Sequence, residues 1–275
     1  MREARFDARG SVIRWTEASG TGPGAGPDVG PEAGPGAGPA TVFVHGFGSI
    51  SAVYHAHIAA RPELAGRRIL FVDLPGHGIS DRPADFGYTL EDYADALAAA
   101  LDAAEVRGGV IAGHSMGGSI AIVLADRRPD LVGRLVVAEA SLDPFPVAKA
   151  GSSRIASYTE EEFVRGGGFA RVLEQVGPTW AATMRLADPL ALHRTAVHLV
   201  RGTEPAMREL LLRNARVDRV YLQGELSGEL PGADALRAAG VDVVTVPGAG
   251  HNIMFDNPEV FARVVAGAGR EVLAA

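Results

Sequence analysis

The chain has no cysteine among its 275 residues. That excludes disulfides, thiolate nucleophiles and cysteine-ligated metals. Lysine is nearly absent as well: Lys149 stands alone against 25 arginines. With abundant Ala and Gly, this matches the codon bias of a GC-rich genome and says little about function. No basic tract occurs, and a net charge of −7 offers nothing to attract nucleic acid or an anionic membrane. No apolar stretch approaches the ~20 residues of a membrane span. The opening "MREARFDARG" lacks the apolar core of a signal peptide. These absences lead us to expect a cytoplasmic protein with no membrane and no nucleic-acid partner.

What is present is ordinary for a globular domain: 47% hydrophobic and 21% charged residues. The length allows one large domain or a domain with a sizeable insertion. "ARFDARGSVIRWTEA" predicts two short strands around a turn at Arg9-Gly10. Residues 22–39, "GPGAGPDVGPEAGPGAGP", repeat Gly-Pro at four-residue spacing rather than three, which excludes collagen. Too poor in apolar side chains to pack, they are expected to form a disordered surface loop.

From residue 41 the chain alternates. "TVFVH", "RRILFVDL", "GGVIAGH", "GRLVVAEA", "VDRVYLQG" and "VDVVTVPG" are apolar runs without polar alternation, as in strands buried on both faces. Helical patterns separate several of them. "TLEDYADALAAALDAAEV" has Thr89 as N-cap, Asp92 three residues on, and Tyr93, Leu97 and Leu101 on one face. "NPEVFARVVAGAGREVL" begins with Asn257 as cap and Pro258 in the first turn. The pattern predicts an α/β fold with a parallel sheet covered by helices. Residues 141–216 break the rhythm. They read as helices throughout, including "TEEEFVRGGGFARVLEQV", which three glycines interrupt. The expected division is a core of residues 1–140 and 217–275 with a helical cap at 141–216, over the sheet edge where ligands bind.

Three stretches carry chemistry. "GHSMG" fits G-x-S-x-G, the tight strand-to-helix turn that exposes a nucleophilic serine. Ser115 is that serine, Gly113 and Gly117 give it clearance, and the following helix points its N-terminus at developing negative charge. "FVHGFGS" ends an earlier strand. An acyl-transfer site needs two N–H groups on the tetrahedral oxyanion, and Phe47 in this loop and Met116 after the nucleophile are the candidates. "VPGAGHNIMFDNPE" places His251 after the last strand, where it can act as general base. His45 and His114 flank the site and shape it. His77 is structural, and His55, His57, His193 and His198 are surface or packing residues.

In this order, "HGFG", "DLPGHGIS", "GHSMGGS" and "GAGH" resemble the α/β-hydrolase superfamily over residues 41–128 and 217–272. The resemblance implies a mostly parallel eight-stranded sheet and a helical cap after strand 6. Many members carry the triad acid as G-x-x-Asp after the strand preceding the histidine strand. Here that stretch is "LQGELSGEL", with Ser227 at the acid's place. The alternatives are Glu225, Glu229 and Glu139, which ends the previous strand in "VVAEASLDP". Glu139 resembles the acid of some haloalkane dehalogenases and of zearalenone lactonases. A carboxylate closing an apolar buried strand needs a partner, and Glu139 is favoured on that ground.

The expectation is a cofactor-independent serine hydrolase that cleaves an apolar carboxylic ester or lactone through an acyl-enzyme. No metal-ligand cluster and no dinucleotide fingerprint in context appears, so no metal and no cofactor is expected. Haloalkane dehalogenases and epoxide hydrolases use an aspartate nucleophile, unlike Ser115. Carbon–carbon bond hydrolases, acyltransferases and perhydrolases share the triad and stay open as alternatives. A non-catalytic ligand receptor is the rival from another class, against which the intact Ser/His pair weighs. Phe47, Phe145 and Trp180 are the expected substrate contacts. Phe163, Phe169, Met184 and Leu186 are further candidates that could equally pack the cap.

Overall fold

Apolar runs with no polar alternation can be satisfied only where both faces of a strand are covered. A computed structural model, which describes residues 1–19, 38–143 and 154–267, shows that arrangement. Residues 22–37 of the Gly-Pro segment, together with Phe145 and Lys149, lie outside the described residues. The strands are β1 (Arg2–Arg5), β2 (Val12–Ser19), β3 (Thr41–Val44), β4 (Arg68–Asp73), β5 (Gly109–His114), β6 (Val132–Ala138), β7 (Asp218–Gly224) and β8 (Val241–Val246). They form one sheet in the order β1-β2-β4-β3-β5-β6-β7-β8. β1 and β2 form the predicted antiparallel hairpin, and β2 runs antiparallel to β4. All other neighbours are parallel.

Helices cover both faces. α1 (Ser51–Ala59) follows β3, α2 (Leu90–Ala103) follows β4 and α3 (Met116–Arg127) follows β5. Between β6 and β7 lie α4 (Glu160–Val164), α5 (Gly168–Gln175), α6 (Pro178–Met184), α7 (Pro189–Arg201) and α8 (Met207–Arg213). α9 (Ala233–Ala238) precedes β8, and α10 (Ile253–Asp256) and α11 (Pro258–Ala266) end the described chain. Successive strand residues point to opposite faces, so two cores form. Val42, Val44, Val72 and Ile111 pack with Leu97, Leu101, Ile120 and Leu124 of α2 and α3. Phe43, Ile69, Phe71 and Ala112 pack with Ile58 of α1 and with Phe261 and Val264 of α11. Each large side chain buried this way stabilises the fold by about 1.5–3 kcal/mol. Leu97→Ala would leave a cavity and cost about 2–5 kcal/mol.

The helix starts follow local chemistry. Thr89 Oγ1 accepts from Asp92 N (3.1 Å), and Asp92 Oδ2 accepts from Thr89 N (3.2 Å), closing a capping box on α2. Asn257 Oδ1 caps α11 by accepting from Val260 N, with Pro258 in the first position. Among the described residues, 154–217 carry no strand. The three-glycine interruption is real: α4 stops at Val164, Gly167 takes a left-handed φ of 80°, and α5 starts at Gly168. The cap is anchored to the core by named bonds. Tyr93 and Thr195 share a hydroxyl–hydroxyl bond (2.9 Å), and Arg194 donates to the carbonyls of Ala84 and Phe86.

Candidate active site

Ser115 sits between β5 and α3 with φ 53° and ψ −121°. A non-glycine residue in that region is strained and persists only where its surroundings enforce it. The enforcement is visible. A Cβ on Gly113 would come 2.4 Å from the Gly117 carbonyl oxygen, and one on Gly117 would come 2.3 Å from that of Val44. Both must therefore be glycine for the turn to close against β3. Ser115 N also donates to Ala138 O (2.8 Å), which ties the turn to the end of β6.

The next residue along β6 is Glu139, also at positive φ (55°). Among the described residues only Tyr88, Glu105, Ser115 and Glu139 have positive φ without being glycine. The Glu139 carboxylate is 7% exposed and spends both oxygens. Oε1 accepts from Gly224 N at 2.6 Å, and Oε2 lies 3.3 Å from His251 Nδ1. A buried carboxylate needs such partners. With Nδ1 facing the carboxylate, the tautomer carries its proton there and leaves Nε2 as a base.

The loop that carries His251 is pinned residue by residue. Asn257 Nδ2 donates to Pro247 O, Glu225 Oε2 accepts from Gly248 N and Asp256 Oδ2 accepts from Gly250 N. His114 Nε2 lies 2.8 Å from His251 O. Glu225 thus serves the loop's backbone rather than the imidazole. Ser227 ends a short 3₁₀ turn after β7 and is exposed, as is Glu229.

The second loop of the site is the turn after β3. Phe47 is buried in it, and Ser49 N closes the turn on Gly46 O (3.1 Å). Among the described residues neither Phe47 N nor Met116 N has an acceptor. Two buried histidines hold the turn. Gly48 N donates to His77 Nε2 (3.3 Å), and Leu74 N donates to His45 Nε2 (3.0 Å). Burial pushes His45 down to about 4 and His77 to about 3, so both rings are neutral acceptors near neutral pH. From the cap, Trp180 Nε1 donates to Phe47 O at 2.8 Å.

These elements enclose a cavity of about 330 Å³. Ser115, His251, Phe47, Met116 and Trp180 line it, together with Gly46, Ser49, Tyr54, His114, Ser119, Ser141, Leu199 and Asn252. Of the two readings open for the further apolar candidates of residues 141–216, packing describes most. Phe163 and Met184 are fully buried in packing, Phe169 packs edge-on against Phe163, and Leu186 is 54% exposed. None of the four lines the cavity. Sequence reasoning missed Tyr54 on α1 and Leu199 on α7, whose places depend on which helix face meets the core. Among the described residues no group of three or more His, Asp or Glu side chains could hold a metal ion, and no helix is long and apolar enough to cross a membrane.

The chain is 31% identical over 158 residues to a 2-hydroxymuconate semialdehyde hydrolase of Pseudomonas sp. (strain CF600), covering 57% of this chain and 49% of that one. It is 32% identical over 199 residues to an esterase of Mycobacterium tuberculosis, covering 72% of this chain and 62% of the relative. It therefore spans about half to three-fifths of the length of these relatives. The fold is shared with a solved esterase from Exiguobacterium antarcticum, with a TM-score of 0.72 at 18% identity, covering 98% of this chain and 100% of that one. The sequence pattern of the alpha/beta hydrolase family matches residues 41–264, and the chain belongs to that family.

Proposed function

We propose that the protein is a serine hydrolase that cleaves a carboxylic ester or lactone through an acyl-enzyme. The observation that carries this reading is the pairing of Glu139 Oε2 with His251 Nδ1 beside a cavity that Ser115 also lines. His251 takes the proton from the Ser115 hydroxyl as its oxygen attacks the carbonyl carbon. Glu139 holds the histidine tautomer and offsets the imidazolium that forms. The oxyanion rests on the N–H groups of Phe47 and Met116, aided by the N-terminus of α3. Collapse expels the alcohol, which leaves with the proton from His251. Water, activated by the same ring, then attacks the acyl-enzyme, and the free acid departs.

The cavity supports a small, uncharged substrate. Phe47, Tyr54, Met116, Trp180 and Leu199 give it apolar walls, while the few hydroxyls come from Ser49, Ser119 and Ser141. A volume of about 330 Å³ lies at the low end for ligand sites. The likeness to an esterase and to a semialdehyde hydrolase supports hydrolysis as the reaction type. The test is a fluorophosphonate probe combined with turnover of p-nitrophenyl acetate and butyrate. Ser115 should be the labelled residue by peptide mass mapping, and Ser115→Ala should abolish both labelling and turnover. A protein that neither labels at Ser115 nor turns over any ester or lactone would overturn this reading.

A further inference from the structure

We propose that His114 is a positioning residue for the general base: its Nε2–H holds the main-chain carbonyl of His251 and so fixes the imidazole relative to Ser115. The inference rests on the serine-hydrolase reading given above. His114 is the last residue of β5 and immediately precedes Ser115. Its ring is 3% exposed and lines the same cavity. Nε2 lies 2.8 Å from His251 O. A carbonyl can only accept, so Nε2 carries the ring proton and Nδ1 is bare. The two imidazole centroids are 4.9 Å apart, and Tyr54 stacks at 6.4 Å.

The choice of histidine at this place needs a reason. Nδ1 of His114 is buried without a partner. It packs against Gly46 so closely that a Cβ there would lie 3.0 Å from Nδ1. An unpartnered buried nitrogen costs free energy, and leucine or phenylalanine would fill the space without that cost. What histidine supplies in return is the single N–H bond to His251. The rest of the loop is held at Pro247, Gly248 and Gly250. At His251 itself, His114 is the partner of the main-chain carbonyl among the described residues. The nucleophile and the base are therefore linked through adjacent residues: Ser115 supplies the hydroxyl and its neighbour holds the backbone that carries the base. Burial also keeps the ring well below its ordinary pKa, so the bond is the same across the working pH range.

The test compares His114→Leu with His114→Gln, whose amide nitrogen reaches about as far as Nε2. Steady-state kinetics with p-nitrophenyl butyrate and the rate of fluorophosphonate labelling are the readouts. His114→Leu should lower kcat and the labelling rate ~10–100-fold, the effect of a misplacement near 1 Å, with KM changed less than about threefold. His114→Gln should recover most of the loss. Should His114→Leu fail to fold, His114→Asn replaces it: its donor is too short to reach the carbonyl, and the kcat deficit should follow Asn and not Gln. A folded His114→Leu with wild-type kcat, or a Gln variant as impaired as Leu or Asn, overturns the assignment. A wild-type protein that resists the probe overturns the hydrolase reading and this inference together. A wild type and a His114→Leu variant labelled at equal rates overturn this inference alone.

Discussion

Glu139 Oε2 and His251 Nδ1 lie 3.3 Å apart although 112 positions separate them in the chain. The contact exists because β6 and β7 are parallel neighbours, with Glu139 N bonded to Leu222 O and Glu139 Oε1 to Gly224 N. The carboxylate beside the imidazole thus comes from the end of β6, one strand before β7 and the turn that carries Ser227. Glutamate's extra methylene supplies the added reach.

A bond from Trp180 Nε1 to Phe47 O joins α6 to the turn after β3. Trp180→Phe keeps a ring at the position, where Trp180 stands edge-on to Phe47 at 6.4 Å, but removes the donor. We expect kcat/KM to fall about 5–10-fold, the equivalent of one hydrogen bond of about 1 kcal/mol. Steady-state kinetics on p-nitrophenyl butyrate measure it. Unchanged kcat/KM would show that the turn holds its geometry without the cap.

Acid should unfold the protein early. Burial pushes His45 to about 4 and His55 and His77 to about 3. Between those values and about 6.5 the unfolded chain binds protons that the folded chain refuses, so stability falls as pH falls. Each histidine contributes a slope of up to ~1.4 kcal/mol per pH unit in that window. Asp73 runs the other way, because burial raises its pKa and its protonation favours the folded state at low pH. Burial holds His114 and His198 below the ordinary value as well, so the histidines outweigh Asp73 and leave a net loss. Calorimetry should show Tm falling by roughly 10 °C or more from pH 7 to pH 5, and a flat Tm over that range would refute the neutral-histidine account.

Arg219 is buried at the start of β7, and among the described residues no carboxylate pairs with its guanidinium. It donates instead to the carbonyls of Leu211, Leu212 and Ala239, which end α8 and α9. A cation there satisfies orphan carbonyls and the helix dipoles together. Arg219→Met should cost at least about 2 kcal/mol, since each carbonyl left unsatisfied costs about 1–3 kcal/mol. The ester turnover of the folded fraction should not change, because the site lies about 16 Å away at the other end of the strand. Urea unfolding with parallel kinetics separates the two effects; equal stability of both proteins would contradict the capping role.

The sheet was legible because its strands are covered on both faces and read as unbroken apolar runs. Thr89 and Asn257 announced their helices through side-chain caps that are local in sequence. α1 gave no such signal. Its first residue, Ser51, has its N–H bonded to Asp73 Oδ1, a cap delivered from β4 that no local pattern can reveal. Ser115, His251 and Glu139 were legible as residue types at strand ends. The positive φ of Glu139 and the bond from His114 to His251 were not, since both arise from register between strands far apart in sequence. Which apolar residues of 154–216 face the cavity stayed open in the sequence for a related reason. Phe163 and Met184 face the interior of the cap and its seat, while Leu199 reaches the cavity, and helical periodicity alone does not say which apolar stripe meets which surface. The expected disorder of residues 22–37 and the expected substrate contact of Phe145 lie outside the described residues.

Glu139 is the proposed acid, and the kcat of Glu139→Gln on a p-nitrophenyl ester measures that role directly. Exchanging a triad carboxylate for its amide favours the wrong histidine tautomer and costs ~10⁴-fold in a comparable triad. Glu139→Gln should lose kcat by several orders of magnitude, while Glu225→Gln and Glu229→Gln should lose less than about tenfold, with all three folded by circular dichroism. Near-normal turnover by Glu139→Gln, with the loss falling instead on Glu225→Gln or Glu229→Gln, would place the acid after β7 and contradict the triad argued from this structure.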